Sequence, residues 1–255
     1  RNTGNYLPDT GLCLRIVSNY VQTLTLRSLC GAGIAVLGSK TPFAHALLPG
    51  GVTTDITPDK LMKFHELLEK LTNFVLNSYI PDVEEVAKRY PEYFRIGEAY
   101  NNFFSNETFS AIGDPLFKSG VYIDGNVEDF NISNVKENID MSFYDSKGRP
   151  APKKEGAYSW TKSPRYKDKQ VEVGPLARLV VNDFSDFKNA MASHGIREIK
   201  SSTMSRHMAR AYESKLLCSH LYKLLEAYKV GEPTINPIDM DRKISGKGTG
   251  LSIAA

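Results

Sequence analysis

Apolar residues recur at helical spacing over two long stretches of this chain, and a region rich in aromatic and turn residues separates them. The first stretch, from Leu12 to about Leu37, predicts a helix that Gly31 and Gly33 weaken near its end. Residues 38–54 follow as an irregular loop rich in glycine and proline. The pattern therefore favours long packed helices, with a smaller part of another kind between them.

A second helix is predicted to begin at Thr57, because threonine can cap a first turn and Pro58 fits inside that turn. Its apolar residues lie three to five positions apart and are Leu61, Phe64, Leu68, Leu71, Val75 and Ile80. Pro81 is expected to interrupt this helix. A further helix, from Val83 to about Tyr90, is expected to stop before Pro91.

The middle of the chain changes in character. Residues 95–145 hold many aromatic and turn residues, and Val121-Tyr122-Ile123 followed by Asp124-Gly125 predicts a β-hairpin. Residues 145–170 are basic and read as a loop. Three helices are predicted after this region, namely Pro175 to about Val181, Phe184 to about Ser193 and about Arg197 to Lys229.

These elements predict an α+β fold that is mainly α with a smaller β-rich region. We expect a helical region with a Gly/Pro loop at 1–94, a β-rich and loop excursion at 95–170, and a helical region with an extended tail at 171–255. The chain has no initiator methionine, and residues 251–255 resemble the start of a strand cut short. The three regions are therefore expected to be one domain of a longer chain.

Composition limits the possible functions. The 255 residues are 41% hydrophobic and 24% charged, which is typical of a globular protein, and the net charge of +3 does not imply a polyanionic partner. No apolar run approaches the roughly 20 residues of a membrane span, so none is expected. The three cysteines give neither a disulfide framework nor a metal signature, and we expect Cys13 and Cys30 to be buried, reduced thiols.

Four stretches together are too specific to arise from composition. The longest is Tyr158-Ser159-Trp160-Thr161-Lys162-Ser163-Pro164-Arg165-Tyr166, which Glu172-Val173-Gly174-Pro175-Leu176-Ala177-Arg178 follows. The others are Gly38-Ser39-Lys40-Thr41-Pro42 with Pro49-Gly50-Gly51-Val52-Thr53, Leu116-Phe117-Lys118-Ser119-Gly120-Val121, and Ser202-Thr203-Met204-Ser205-Arg206 with Ala209-Arg210-Ala211. In order and spacing they resemble the middle portion of the large subunit of nickel-iron hydrogenases.

The resemblance implies a parent enzyme that oxidises or evolves H2 at a nickel-iron centre. In that family four cysteines, arranged as two Cys-x-x-Cys pairs near the two ends of the subunit, hold the metals, and soft thiolates suit such a centre. This chain has no Cys-x-x-Cys pair, and the family's proton-transfer glutamate and Pro-Arg motif are absent as well. No catalytic, cofactor-binding or metal-binding residue is therefore carried over, and this segment alone is expected to be inactive.

One element of the resemblance implies a partner. Lys40, Thr41 and Pro42 match the family's Gly-Gly-Lys-x-Pro-His element, which approaches the iron-sulfur small subunit near its nearest cluster. Phe43 stands where histidine is usual, and His45, two positions later, is the candidate replacement. Lys40, Pro42 and His45 are thus the candidate small-subunit interface, where hydrogen bonds to cluster sulfurs tune a potential. The alternative is a loop-closing group without a redox role.

Other candidate sites are weaker. His207 and Cys218 lie on one predicted helix face but about 16 Å apart along its axis, which is too far for one ion. His65 and His220 are expected at a boundary or on the surface, and His194 at a helix end. The glycine-rich run 246–250 lacks the spacing of a phosphate-binding loop and predicts a turn into a strand.

The basic stretch 145–170 resembles a nucleic-acid surface, since Tyr158, Trp160 and Tyr166 lie among its cations. The family resemblance runs through it, so we expect no nucleic acid and predict that these aromatic residues are buried anchors.

The motif set most resembles membrane-associated uptake hydrogenases, which implies a heterodimer, a possible cytochrome b partner and a periplasmic location, with a cytoplasmic one as the alternative. Competing interpretations are a non-catalytic relative such as a quinone-oxidoreductase subunit, and a structural or assembly module.

Overall fold

The computed structural model describes residues 9–236, 245–248 and 250–252. They form two units. The first contains Arg1–Tyr93, Ala111–Gly113 and His207–Gly250, and the second contains Phe94–Ser110, Asp114–Arg206 and Leu251–Ala255. Most of the predicted final strand lies outside the described residues.

The first unit opens with the long helix α1, Thr10–Gly38, which confirms the helix predicted from Leu12 to Leu37. Asp9 caps it, because its Oδ1 accepts the backbone N–H of Leu12 at 3.1 Å. Gly33 does not weaken the helix. A Cβ atom there would lie only 3.3 Å from the ring of Phe64, so the glycine allows a close approach of α2, Pro58–Phe74.

Pro81 does not interrupt the second helix, so that prediction is wrong. A π-helical turn, Val75–Tyr79, joins α2 directly to α3, Ile80–Arg89. The Ile80 N–H bonds to the Val75 carbonyl five residues back, and this wider turn relieves the clash that a proline ring makes inside a regular helix. The predicted stop before Pro91 is confirmed.

The core of the first unit is formed by α2, the π-helical turn and the later part of α6, Thr203–Ala227. Leu68, Val75 and Cys218 are its buried centre. The predicted start of α6 at Arg197 is six residues too early, because residues 197–202 are not helical. His220 is buried rather than at the surface as predicted, since its side of α6 faces into this unit.

A buried carboxylate ties α1 to α3. Asp82 accepts the Arg15 Nε at 3.1 Å and the Asn19 Nδ2 at 2.7 Å. Two donors from one helix hold the carboxylate, so its burial is compensated by charge-assisted hydrogen bonds. The contact fixes the register of α1 against α3.

The second unit contains a three-stranded antiparallel sheet in the order β3, β4, β5. Its strands are Phe103–Ser105, Gly120–Ile123 and Asn126–Glu128. Asp124 and Gly125 both have positive φ at the two-residue turn between β4 and β5, which confirms the predicted hairpin. Helices α4, Pro175–Val181, and α5, Ser185–Ser193, are also confirmed. Side chains of the sheet, its loops and both helices form the core, namely Phe103, Phe117, Val121, Leu176, Leu179, Phe187 and Met191.

The stretch 145–170 is not all loop. Its β7, Ser163–Tyr166, pairs antiparallel with β6, Val135–Asn138. Tyr166 is buried as predicted, and its hydroxyl accepts the backbone N–H of Asn131 at 3.1 Å. Tyr158 is 79% exposed and Trp160 is 51% exposed, so the prediction that they are buried anchors is wrong.

Backbone contacts explain why those two aromatic residues need not be buried. The Tyr158 N–H donates to the Met141 carbonyl at 3.1 Å, and the Phe143 N–H donates to the Ser159 carbonyl at 2.9 Å. The Trp160 ring packs on the Phe143 ring at 5.1 Å between centroids. The main chain therefore anchors this loop, and the rings cover one another at its surface.

Among the described residues, α1 is long and apolar enough to cross a membrane by length and composition alone. The sequence prediction that no apolar run approaches this length is not contradicted by this. It considered uninterrupted apolar runs, whereas α1 reaches the limit as an average that includes polar positions. Of its most apolar 18-residue window, 11% is buried.

Candidate partner-subunit interface

The predicted interface lies in residues 39–54, called the interface loop below, directly after α1. Ser39 ends the helix in the left-handed conformation with φ of 67°. The backbone N–H groups of His45 and Ala46 both donate to the Gly38 carbonyl, at 3.0 and 3.2 Å. The loop thus folds back onto the helix end and satisfies a carbonyl that the helix leaves unpaired.

Gly38 is required for this fold-back. A Cβ atom at that position would lie 2.7 Å from the Cβ of Ala44, closer than real side chains approach. Ser39 and Thr54 lie at the two ends of the loop, and their hydroxyl oxygens are 2.7 Å apart. The loop is therefore closed at its base by a hydrogen bond and packed against the helix by a small residue.

The interface loop contains a short hairpin that sequence analysis missed. Strands β1, Leu47–Leu48, and β2, Gly51–Val52, pair antiparallel. A third segment, Thr234–Asn236, called the strap below, lies along the β2 side: the Val52 N–H donates to the Thr234 carbonyl at 2.9 Å, and the Asn236 N–H donates to the Gly50 carbonyl at 2.9 Å. The hairpin is thus held by a distant part of the chain.

The three candidate residues Lys40, Pro42 and His45 are all exposed. Lys40 Nζ lies 3.3 Å from His45 Nε2, so the structure brings these two together, with Pro42 between them in the chain after a cis peptide bond. Since an ammonium can only donate, Nε2 is the acceptor in this contact. Lys40 keeps further hydrogens that point to solvent or to a partner.

Three large apolar side chains extend from the same loop. Phe43 is 78% exposed, and Leu47 and Leu48 are also more than half exposed. Between them Ala46 is buried, so the loop backbone is anchored while these side chains project outward. Phe43, Leu47 and Leu48, called the apolar rim below, thus give an uncovered apolar surface beside a cation.

The strap was missed because residues near 234 read as an extended linker. One sequence signal could have found it, namely the adjacent glycines Gly50 and Gly51, which often mark a place where another backbone approaches closely. A Cβ atom on Gly51, whose φ is 152°, would lie 2.1 Å from the Thr234 carbonyl oxygen. The Gly-Gly pair therefore accommodates the strap.

Two motifs that carry the resemblance meet within the second unit. The Glu172 carboxylate accepts Nε and Nη2 of Arg206, both at 2.8 Å, and also the Ser201 hydroxyl. Arg206 Nη1 donates to the Gly97 carbonyl at 2.9 Å. These residues form the Glu172 cluster. Its bidentate geometry is a strong charge-assisted pairing, and Glu172 raises the pKa of Arg206. The cluster joins the start of α6 to two loops.

The residues present do not fit a nickel-iron centre. Within the described ranges, no group of three or more His, Cys, Asp or Glu side chains could hold a metal ion. Cys218 is buried, whereas Cys13 is half-buried and Cys30 is exposed, so the prediction that both of the latter are buried is wrong. They lie on α1, most of whose surface is uncovered. Apolar neighbours nevertheless desolvate the Cys30 thiol and raise its pKa.

The histidines are dispersed. His65 is exposed as predicted, with its ring edge-on to Tyr222 at 5.4 Å, and His194 ends α5 as predicted. His207 is exposed whereas Cys218 on the same helix is buried, so they do not share an environment. None of these side chains extends the candidate interface.

Comparisons with known proteins agree with the motifs. A model of the nickel-dependent hydrogenase family matches residues 3–252. The large subunit of the periplasmic [NiFeSe] hydrogenase of Desulfomicrobium baculatum is 30% identical in an alignment of 264 positions, which covers 93% of this chain and 51% of that subunit. The large chain of a quinone-reactive Ni/Fe-hydrogenase of Wolinella succinogenes is 24% identical over 96% of this chain and 51% of its own length.

The fold agrees as well. The structure of the Ni-Fe-Se hydrogenase of Desulfovibrio vulgaris Hildenborough in its as-isolated oxidised state aligns with a TM-score of 0.82 at 28% identity, over 93% of this chain and 56% of that chain. The α+β class predicted from the sequence is confirmed. This chain spans about half the length of the relatives it matches. It belongs to the nickel-dependent hydrogenase family and corresponds to a portion of the large subunit.

Proposed function

We propose that this chain is the scaffold portion of a nickel-iron hydrogenase large subunit whose parent enzyme oxidises or evolves H2 and passes electrons to an iron-sulfur small subunit. The observation that carries the proposal is the family match over residues 3–252, together with the shared fold. The alternative, a non-catalytic relative such as a quinone-oxidoreductase subunit or a structural or assembly module, is not favoured, since the matched relatives are hydrogenase large subunits.

The parent subunit's nickel-iron centre supplies the chemistry of H2 activation. Its thiolate ligands are not among the three isolated cysteines of this chain. The residues described here contribute long, mutually packed helices, and Asp82 and the Glu172 cluster fix elements within each unit. Rigid elements that support a metal site from outside its ligand shell are what such a centre requires.

The interface loop is proposed to face the iron-sulfur small subunit. Lys40, Pro42 and His45 are exposed on one loop, and the Lys40 ammonium suits a partner that carries an anionic cluster. Phe43 provides no hydrogen-bond donor, so His45 is the remaining imidazole near the cluster. Its Nε2 already faces Lys40, which leaves Nδ1 as its donor.

The location is proposed to be periplasmic and associated with the membrane through a partner such as a cytochrome b. Support comes from the names of relatives, one of which is periplasmic and another quinone-reactive. Helix α1 lies inside the region matched by the family model and packs against α2 within the first unit. Its apolar character is therefore assigned to the folded subunit rather than to a span.

The test uses the complete large-subunit gene expressed with its small subunit. We expect stoichiometric nickel and H2-dependent reduction of a dye. Lys40→Ala should slow electron transfer through the small subunit and leave the nickel content unchanged, whereas Lys223→Ala, an exposed lysine on α6, should change neither. A complete subunit without nickel and without H2 turnover would overturn the proposal, as would H2 turnover by the present chain alone.

A further inference from the structure

The hairpin within the interface loop is too small to hold its own shape. Strands β1 and β2 have two residues each, and an isolated two-stranded hairpin is marginally stable in water even when longer. The apolar rim at its surface cannot provide a core, because these side chains point to solvent. The fold-back onto Gly38 and the buried Ala46 fix the first half of the loop, so it is the β2 side of the hairpin that needs further support.

The strap supplies that support. Its two hydrogen bonds, from Val52 N–H to Thr234 and from Asn236 N–H to Gly50, lie on either side of Gly51, which itself forms an antiparallel bridge with Ile235. The strap thus adds a third strand to the hairpin. Any side chain at position 51 would strike the Thr234 carbonyl, so the approach depends on glycine.

The geometry points to the strap as a positioning element for partner docking: it fixes the interface loop so that Phe43, Leu47 and Leu48 form the apolar contact with the iron-sulfur small subunit. This inference rests on the proposed function. A few well-packed side chains near the centre of a contact provide most of its binding energy. Binding is also strengthened when the loop is ordered before the partner arrives, because less conformational freedom is lost.

The choice of partner follows from charge and from Phe43. The rim shares the interface loop with the Lys40 ammonium, and a cation there complements an anionic cluster in the partner. Phe43 has no polar atom, so it fits an apolar pocket rather than a cluster sulfur. The small subunit of this enzyme is therefore expected to present an apolar recess opposite residue 43.

The experiment compares two glycine substitutions in the complete heterodimer. Gly51→Ala introduces a side chain where the Thr234 oxygen lies 2.1 Å away, whereas Gly231→Ala, at φ of 91°, meets nothing within 4 Å. Both place alanine at positive φ in the same unit, so they differ chiefly in the collision with the strap. The dissociation constant for the purified small subunit is measured for both variants, with nickel content and thermal midpoint as controls.

We expect Gly51→Ala to weaken small-subunit binding about tenfold or more and Gly231→Ala to leave it near wild type. Phe43→Ala should weaken binding similarly without lowering the thermal midpoint. Should Gly51→Ala fail to fold, Asn236→Pro decides, because it removes the N–H donated to Gly50 from an exposed residue without adding a side chain at position 51.

The outcomes separate the two proposals. Equal binding by wild type, Gly51→Ala and Asn236→Pro would overturn the role of the strap while the hydrogenase assignment stands. A wild-type large subunit that binds no small subunit at all would overturn the proposed function itself. Loss of nickel in Gly51→Ala without weaker binding would assign the strap to metal maturation and would also overturn this inference.

Discussion

At the scale of single residues, Asp145 shows how a turn sets a pKa. Its Oδ1 accepts the backbone N–H groups of Lys147 and Arg149, both at 2.9 Å, and its Oδ2 accepts Arg149 Nε at 2.9 Å. The backbone N–H of Arg149 is the largest cause that lowers the pKa of Asp145, and the Arg149 side chain is the second. Hydrogen bonds to the ionised form stabilise it.

This order of causes makes a prediction. Arg149→Ala should raise the pKa of Asp145 only part of the way to its ordinary value, because the backbone donors remain. An NMR titration of the carboxyl carbon measures it, with Lys147→Ala as the control that keeps every donor to Asp145. Full return to the ordinary value would show that the guanidinium, rather than the turn, is the cause.

The sign of the pH effect follows from the lowered pKa. A carboxyl with a lower pKa in the folded state stabilises that state above its unfolded pKa, and the contribution is lost as pH falls through the folded value. The turn at 145–149 should therefore loosen in acid. Asp145→Asn should abolish this dependence, which amide chemical shifts of Gly148 followed from neutral to acidic pH would detect.

Residue-level prediction from the sequence succeeded where chemistry is local. The helix end at His194 was predicted correctly, because Gly195 follows it. The interface role of Lys40 and His45 stays a prediction. The predictions for His220 and Cys30 were wrong. His220 is buried rather than at a boundary or on the surface, and Cys30 is exposed rather than buried. Periodicity shows that a helix has an apolar side, but not which side another element covers.

At the scale of elements, helices and the tight hairpin were predictable and the paired loops were not. Helix α1, helix α4 and the β4–β5 hairpin are set by neighbouring residues. The β6–β7 pair and the strap depend on partners far along the chain, which spacing alone does not reveal. The π-helical turn before Pro81 was missed because a local rule forbids proline inside a helix and tertiary packing overrode it.

The Glu172 cluster makes a prediction about how such elements are joined. Glu172→Gln keeps the shape of the side chain but removes the negative charge that accepts both Arg206 donors. The Glu172 side chain is only 17% exposed, so solvent screens this pair little. Breaking a hydrogen-bonded charge pair of this kind should lower the free energy of unfolding by about 1–3 kcal/mol. The measurement is the denaturant midpoint of the complete subunit.

The matched control is Glu66→Gln on α2. Glu66 also pairs with a cation, Lys70 at 2.6 Å, but both side chains are more than half exposed. An exposed pair four residues apart on a helix contributes little, so its midpoint should not move. Equal effects of the two substitutions would show that the Glu172 cluster is no more than a surface ion pair.

At the scale of the whole molecule, α1 carries a long apolar stripe without a cover. Leu14, Val17, Val21 and Leu24 are each more than half exposed, and their spacing places them on one side of the helix. Contiguous exposed apolar side chains of this kind often mark an interaction surface. Because the relatives are about twice as long as this chain, we expect the other half of the large subunit to cover the α1 stripe.

Replacing Val17 and Val21 together by glutamine tests that expectation. Each valine that loses its burial should cost the complete subunit about 1.5–3 kcal/mol, so nickel content and heterodimer yield should fall sharply. The same substitutions should make the present chain more soluble, since they remove exposed apolar area. The control replaces Val127 and Val230 by glutamine. These two side chains are 57% and 55% exposed, compared with 58% and 57% for Val17 and Val21, and their replacement should change neither maturation nor solubility. If the complete subunit matured normally with both α1 substitutions, the stripe would have to remain in solvent, and the long helix would need another explanation for its apolar face.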